Sequence, residues 1–118
     1  MITAAHSIIY ATDPDAALAF LRDVLGLSNV DAGDGWLIFK APPSELAVHP
    51  AGEDSGKIEF YLMCDDLSST MADLSAKGVE FTSEVSTERW GRLVSLRVPG
   101  AGEIGLYEPL HPTAYDLA

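Results

Sequence analysis

The sequence predicts an α+β fold built from two βαβββ modules in tandem. Three observations support this prediction: strand and helix signals recur in the same order, polar residues keep the same spacing in both halves, and each half carries one amphipathic helix. The chain of 118 residues has the length of one domain, whereas half of it offers too little apolar surface for a core. We therefore predict a single domain over residues 1–118, made of module 1–56 and module 57–118.

The first module opens with a predicted strand over Ala4–Ala11, followed by a helix. Thr12 or Asp13 caps this helix, and Pro14 fits its first turn. Gly26 closes the helix. Short alternating segments between turn residues then predict three strands, with the sequences LSNVDA, WLIFKA and ELAVHP.

The second module repeats this order from Lys57 onward. Its predicted strand KIEFYLMC is followed by the helix DDLSSTMADLSAKG and by the strands VEFTSEV, GRLVSLRV and GEIGLYEP. Seven residues separate His6 from Asp13, and seven separate Glu59 from Asp66. The equal spacing indicates a duplication in which His6 and Glu59 occupy equivalent positions.

Strand alternation predicts which side chains face a cleft between the modules. In the first strand of the second module, the more continuous apolar set suits packing on the helix: Ile58, Phe60, Leu62 and Cys64. The opposite set then faces the cleft: Glu59, Tyr61 and Met63. By the same parity, the ionisable groups of the cleft are predicted to be His6, His49 and Glu59.

Composition limits the possible partners and the compartment. Eighteen acidic residues against seven basic ones give a formal net charge of −11, which repels phosphate backbones and argues against nucleic acid. No apolar run approaches the ~20 residues that span a bilayer, and no signal peptide pattern is present, so we predict a cytoplasmic protein without a membrane partner. The single Cys64 excludes an internal disulfide and fits a reducing compartment.

Three stretches carry a resemblance to a known family: the His that opens the first strand, FLRDVLGL at the end of the first helix, and GLYEP in the last strand. Together with the paired modules, they make the chain similar to the vicinal oxygen chelate superfamily, which includes glyoxalase I, bleomycin resistance proteins and extradiol dioxygenases. The resemblance covers nearly the whole chain. It implies a cleft between curled sheets that holds a small molecule, but a fold does not by itself define a function.

The resemblance also implies a place for a metal ion. Metal-dependent members of the family take ligands from the first and last strands of each module, which here places His6, Ala47, Glu59 and Gly105 at the four positions. Two of these four residues offer no ligand. Since His49 lies two residues beyond Ala47 on the same face, the predicted metal ligands are a displaced set of His6, His49 and Glu59, which requires the strand ends to curl inward. Otherwise His49 only contacts the bound ligand.

Two histidines and one carboxylate suit a single divalent ion, either Fe(II), Mn(II), Ni(II) or Zn(II). With such an ion, Glu103 or Glu108 is the candidate catalytic residue that moves a proton. The alternative is that His6 and Glu59 only form hydrogen bonds at the sheet junction and that no metal binds.

Aromatic and polar side chains offer a second kind of site, because small-molecule pockets are mostly apolar with a few placed polar groups. The candidate ligand-binding residues are Trp36, His49, Tyr61, Met63, Trp90 and Tyr107. Core packing or dimer contact is the alternative role of each single aromatic residue. The segment after Pro109 is predicted to drape over the other module or over a neighbouring subunit.

Two functions fit these patterns. The first is a protein that binds a small molecule in the cleft, with or without metal, as in the bleomycin resistance branch of the family. The alternative is a divalent-metal-dependent lyase or dioxygenase that acts on a substrate with two neighbouring oxygens. A vestigial cleft in a subunit or stress-associated protein is a third possibility. Exposed strand edges on small modules favour a homodimer in each case.

Overall fold

Two helices and two sheets make up the part of the chain that the computed structural model describes, which is residues 6–48, 50, 53 and 58–117. Helix α1 spans Pro14–Ala19 and continues as a π-helical turn over Phe20–Val24, and helix α2 spans Leu67–Ala76. The strands are β1 (Asn29–Asp31), β2 (Leu37–Phe39), β3 (Tyr61–Met63), β4 (Ser86–Thr87), β5 (Gly91–Val98) and β6 (Gly102–Pro109). The predicted α+β class is confirmed.

The two helices begin in the same way. The side chains of Asp13 and Asp66 each accept a hydrogen bond from the backbone N–H three residues later, at 3.1 Å, and so cap α1 and α2. After each helix comes a glycine in the left-handed region, Gly26 with φ 68° and Gly78 with φ 86°, which reverses the chain. No helix in the described part of the chain has the length and apolar character needed to cross a membrane.

The second module builds a four-stranded sheet in the order β3-β6-β5-β4. Strand β3 is parallel to β6, and β5 is antiparallel to both β6 and β4. The predicted strand VEFTSEV is replaced by the short β4 and by a single bridge between Phe81 and Leu96. The register places Tyr61 opposite Gly105 and Met63 opposite Tyr107, so these four residues share one face of the sheet.

Both helices pack on the other face of this sheet, where the hydrophobic core lies. Leu62 and Cys64 pack against this core, as the strand parity predicted. Because α1 comes from the first module and the sheet from the second, the two halves share one core. Its buried members are Ala17, Phe20, Leu67, Val94, Leu96, Val98, Ile104 and Leu106.

The first module forms less sheet than the sequence predicts. Within the described residues, only β1 and β2 pair, with Val30 opposite Ile38, and residues 6–11 and 45–48 contain no strand. A strand needs a neighbouring backbone for its hydrogen bonds, and neither segment pairs with one there. The strand predictions for these described segments are therefore wrong for the single chain. Residues 1–5, 49, 51–52 and 54–57 lie outside the described part.

Candidate ligand site

Three aromatic rings meet on the sheet face that the helices leave uncovered. Tyr61 on β3, Trp90 before β5 and Tyr107 on β6 form this aromatic cluster, with ring centroids 5.3–6.2 Å apart and interplanar angles of 75–88°. Edge-to-face contacts of this kind contribute about 0.5–1.5 kcal/mol per pair beyond the buried area. Because Trp90 remains 41% exposed, the cluster offers aromatic surface to a ligand.

Two glycines make room for the aromatic cluster. A Cβ atom on Gly105 would collide with the ring of Tyr61, which lies directly over it. A Cβ atom on Gly91 would come within 3.0 Å of the ring of Tyr107 and 2.9 Å of the carbonyl oxygen of Glu108. The close packing of two tyrosine rings on the strands therefore depends on the absence of side chains at these two positions.

The hydroxyl group of Tyr61 is held by a carboxylate on the same strand segment. It donates a hydrogen bond to Oε2 of Glu59 at 2.7 Å. This bond favours the neutral phenol, and together with burial it raises the pKa of Tyr61 to about 12. Tyr61 is therefore uncharged near neutral pH, and its ring is fixed at both ends, by the strand and by Glu59.

The hydroxyl group of Tyr107 lies in a second polar group, the Glu45 cluster, which consists of Glu45, Tyr107, His111 and Ala114. Oε1 of Glu45 accepts from the Tyr107 hydroxyl at 3.2 Å, and Oε2 accepts from the Ala114 backbone N–H at 2.7 Å. The His111 Nε2 atom lies 3.3 Å from the Tyr107 hydroxyl and 3.7 Å from Glu45. The contact between Ala114 and Glu45 shows that the C-terminal segment packs against the first module of the same chain, which is one of the two predicted alternatives.

The Glu45 cluster also shifts the pKa of two of its groups. The hydrogen bond from the Ala114 backbone, followed by that from the Tyr107 hydroxyl, holds the pKa of Glu45 below its ordinary value despite an opposing effect of burial. Burial, followed by the negative charge of Glu45, raises the pKa of Tyr107. The ionised Glu45 and the neutral Tyr107 are thus the stable pair near neutral pH.

The structure brings three of the predicted ligand-binding residues together, Tyr61, Trp90 and Tyr107, and strand register places Met63 on the same face. Trp36 lies in the turn between β1 and β2, where it is exposed and makes no ring contact with another described aromatic residue. The sixth residue, His49, lies outside the described residues.

Two of the four positions at which the family resemblance implies metal ligands carry no ligand in this chain. Ala47 and Gly105 supply no ligand, and Tyr61 fills the space that a side chain at position 105 would need. Among the described residues, no three His, Cys, Asp or Glu side chains lie close enough together to hold a metal ion. His6 is exposed and Glu59 binds Tyr61, so the set of His6, His49 and Glu59 stays a prediction.

The two candidate catalytic carboxylates lie at opposite ends of β6. Oε1 of Glu108 accepts a hydrogen bond from the backbone N–H of Leu67 at 2.9 Å, which stabilises the start of α2. Glu103 is exposed and pairs in register with Arg97 on β5. Glu108 thus has a structural role at the helix, and a catalytic role for either residue stays a prediction.

Sequence reasoning missed Glu45 and His111 as parts of the site. Glu45 lies 62 residues from Tyr107, and strand periodicity carries no signal for a contact made outside a strand pair. One signal was available: Glu45 and His111 both follow proline-containing breaks, where a chain leaves its strand and its polar side chains reach other elements.

Comparisons with known proteins agree with this architecture. Solved structures of similar fold include a lactoylglutathione lyase from Agrobacterium tumefaciens, with 24% identity, a TM-score of 0.61, and coverage of 90% of this chain and 92% of that chain. Another is TnmS3, an antibiotic binding protein from Streptomyces sp. CB03234, with 21% identity, a TM-score of 0.61, and coverage of 92% and 99%. At such identities the similarity shows the fold alone. The comparison with curated proteins finds no match.

A family model covers nearly all of both modules. The model described as Glyoxalase/Bleomycin resistance protein/Dioxygenase superfamily matches residues 3–109, which include the first helix, the aromatic cluster and the last strand. The resemblance predicted from the repeated modules is thereby confirmed. The chain belongs to the Glyoxalase/Bleomycin resistance protein/Dioxygenase superfamily.

Proposed function

We propose that the protein binds a small planar aromatic molecule on the aromatic cluster, and that this binding needs no metal ion. The observation that carries the proposal is the ring of Tyr61 lying over Gly105, because an aromatic wall stands where a metal ligand on the last strand would have to project. The exposed surface of Trp90 and the neighbouring Met63 extend this wall. Apolar and aromatic walls with a few fixed polar groups are typical of small-molecule sites.

The charges around the cluster favour a neutral or cationic ligand. Both tyrosine hydroxyls already donate to carboxylates, Tyr61 to Glu59 and Tyr107 to Glu45, so the ring surfaces are the groups left for a ligand. The formal net charge of −11 raises the local concentration of cations and lowers that of anions. One solved structure of similar fold is described as an antibiotic binding protein, which supports a drug as the ligand class. A cytoplasmic location stays a prediction.

The proposal is tested by titrating the protein with a panel of planar aromatic drugs and measuring the heat of binding by calorimetry, with and without a chelator. We expect saturable binding that the chelator leaves unchanged and that Trp90→Leu weakens about tenfold, as for a central aromatic contact. Trp36→Leu makes the same substitution outside the cluster. Equal losses in both variants would extend the site to the first module, and no binding by any drug would contradict the proposal.

The metal-dependent alternative is tested by elemental analysis of protein purified without chelator or affinity metal. The matched sample is the double variant His6→Ala, Glu59→Ala. Near-stoichiometric metal in the parent that disappears in the variant, with drug binding that requires the metal, would favour a metal-dependent lyase or dioxygenase instead. Absence of metal from both samples, with unchanged stability on addition of Ni(II), Mn(II) or Zn(II), agrees with the proposal.

We also propose that two copies of the chain associate. Three apolar side chains keep more than 90% of their surface exposed: Leu46 at 95%, Val48 at 96% and Ile58 at 91%. Ile58 lies three residues before β3, which forms one edge of the four-stranded sheet and, in the described part of the chain, has no strand on its outer side. In the described part of the chain, residues 45–48 have no strand partner and β3 has no neighbour on its outer side. An unpaired segment and an open sheet edge are complementary, which supports a symmetric pair.

A further inference from the structure

A cavity of about 300 Å³ lies away from the aromatic cluster, where the first helical segment, the end of α2 and the end of β5 come together. None of the three cluster rings lines it. Four apolar side chains form its walls: Phe20, Val24, Val79 and Pro99. Its volume lies at the lower limit of pockets that hold small molecules.

A π-helical turn supplies one wall of this cavity. The turn spans Phe20–Val24 and is closed by the bond from the Leu25 N–H to the Phe20 carbonyl oxygen at 3.1 Å. Its first and last residues both line the cavity. Since π-helical turns are rare and occur frequently at functional sites, this turn is an observation independent of the cavity itself.

Two of the seven basic residues of the chain, Lys77 and Arg97, line the same cavity. The backbone N–H groups of Lys77 and Gly78 cap the last carbonyl groups of α2 at 3.0 Å, so this capping does not use the Lys77 ammonium group. Within the described part of the chain, that ammonium group has no polar partner.

Arg97 forms an ion pair with Glu80 through its Nε atom at 3.0 Å, and Glu80 also lines the cavity. The two cations and this one carboxylate leave a net charge of +1 at the rim. A positive rim is unusual in a chain with a formal net charge of −11, and it selects against the cations that the rest of the surface attracts.

We propose that this cavity is a second binding site, which takes a small amphiphilic carboxylate. The apolar part of the ligand packs against Phe20, Val24 and Val79, and its carboxylate binds the Lys77 ammonium and the Arg97 guanidinium groups. A volume of 300 Å³ corresponds to about ten water-sized heavy atoms, the size of a medium-chain fatty acid. The site is independent of the drug-binding function proposed for the aromatic cluster.

The test uses octanoate as the probe and the amide resonances of Gly78 and Val79 as local reporters in NMR titrations of the full chain. We expect octanoate to shift these resonances saturably, and octanol, which keeps the tail but lacks the charge, to bind about tenfold more weakly. Lys77→Gln and Arg97→Gln are each expected to weaken octanoate binding about tenfold. Lys40→Gln, the same change on an exposed lysine outside the cavity, is expected to leave binding unchanged.

A larger residue in the apolar wall gives a second, charge-independent test. Val24→Trp is expected to fill the cavity and abolish the shifts caused by both octanoate and octanol, while the dispersed spectrum shows that the variant is folded. The proposal is overturned if octanoate leaves the Gly78 and Val79 resonances unchanged, if Lys77→Gln binds as tightly as the parent, or if octanol binds as tightly as octanoate.

Discussion

The ring of Tyr61 lies directly over Gly105, its register partner on the neighbouring strand. Gly105 occupies the position at which the family resemblance implies a metal ligand, and Tyr61 occupies the space that such a ligand would use. The aromatic cluster and the absence of a metal ligand at position 105 therefore have one cause. The Tyr61 ring packs here only because the strand carries no side chain at this position.

We predict that Gly105→Ala destabilises the protein. The added methyl group collides with the Tyr61 ring, so either the ring or strand β6 has to move, and overpacking of this kind costs about 1–3 kcal/mol. Urea unfolding followed by fluorescence measures the loss. In the Tyr61→Ala background the same substitution meets an open space, and the double-mutant cycle should show most of the cost disappearing. A neutral Gly105→Ala in the parent would show that the ring does not lie there.

We expect the phenol of Tyr61 to lose its proton at a higher pH than an ordinary tyrosine does. Its pKa of about 12 results first from the hydrogen bond to Glu59, and next from burial. Because the folded-state pKa is raised above the ordinary value of 10.0, the stabilisation is fully present below pH 10 and is lost as the pH rises through 12. In the titration curve of phenolate absorbance against pH, the step at the highest pH should be absent from the Tyr61→Phe variant.

The Glu59→Gln variant separates the effect of the Glu59 carboxylate on the pKa of Tyr61 from the effect of burial. It removes the negative charge and the strong acceptor, so we expect the last phenolate step to move from about 12 toward 10.0. Asp65→Asn removes one negative charge elsewhere in the same region and is the matched control. A step at the same pH in Glu59→Gln and the parent would contradict the hydrogen bond between Tyr61 and Glu59.

We expect the protein to lose part of its folding stability in acid because Glu45 becomes protonated. Its pKa is held below 4.5, first by the Ala114 N–H and then by the Tyr107 hydroxyl. A carboxylate with a lowered folded-state pKa contributes stability above its unfolded value, and this contribution is lost as the pH falls through the folded value. We predict that Glu45→Gln lowers stability at pH 7 and reduces the further loss on acidification.

The control for this prediction is Glu84→Gln, because Glu84 is exposed and the same charge is removed there. Chemical unfolding at pH 7 and at pH values below 4.5 is compared for the parent and for both variants. The difference between the two variants isolates the Glu45 cluster from the general effect of lowering a large negative charge. Equal pH slopes in the two variants would contradict the role assigned to Glu45.

The sequence predicted the fold class and the helix starts because these depend on local chemistry. Asp13 and Asp66 cap helices through a carboxylate three residues from its donor, and Leu62 and Cys64 reach the core through simple alternation. Such signals need only a few neighbouring residues, and because the two modules are similar, each signal occurs in both.

The Glu45 cluster and the missing strands could not be predicted in this way. The bond between Glu45 and Tyr107 joins two segments whose meeting depends on how the C-terminal segment folds back. The segments over 6–11 and 45–48 have the alternation of strands, but alternation reports which side chains can be buried and not whether a partner strand is present. The prediction of strands there omitted this second requirement.

Association of two chains is the last prediction, and Ile58 is the residue that tests it most directly. Its side chain is 91% exposed just before the edge strand β3, so a contact with a second copy would bury it, whereas in a monomer a charge there would change little. We expect sedimentation of the parent to give a dimer, and Ile58→Lys to weaken association at least about tenfold, because a buried ammonium without a partner is costly. Ser68→Lys adds the same charge on the exposed surface of α2 and should leave the dimer intact. A monomeric parent, or an Ile58→Lys variant that dimerises like the parent, would show that the exposed apolar segments serve another purpose.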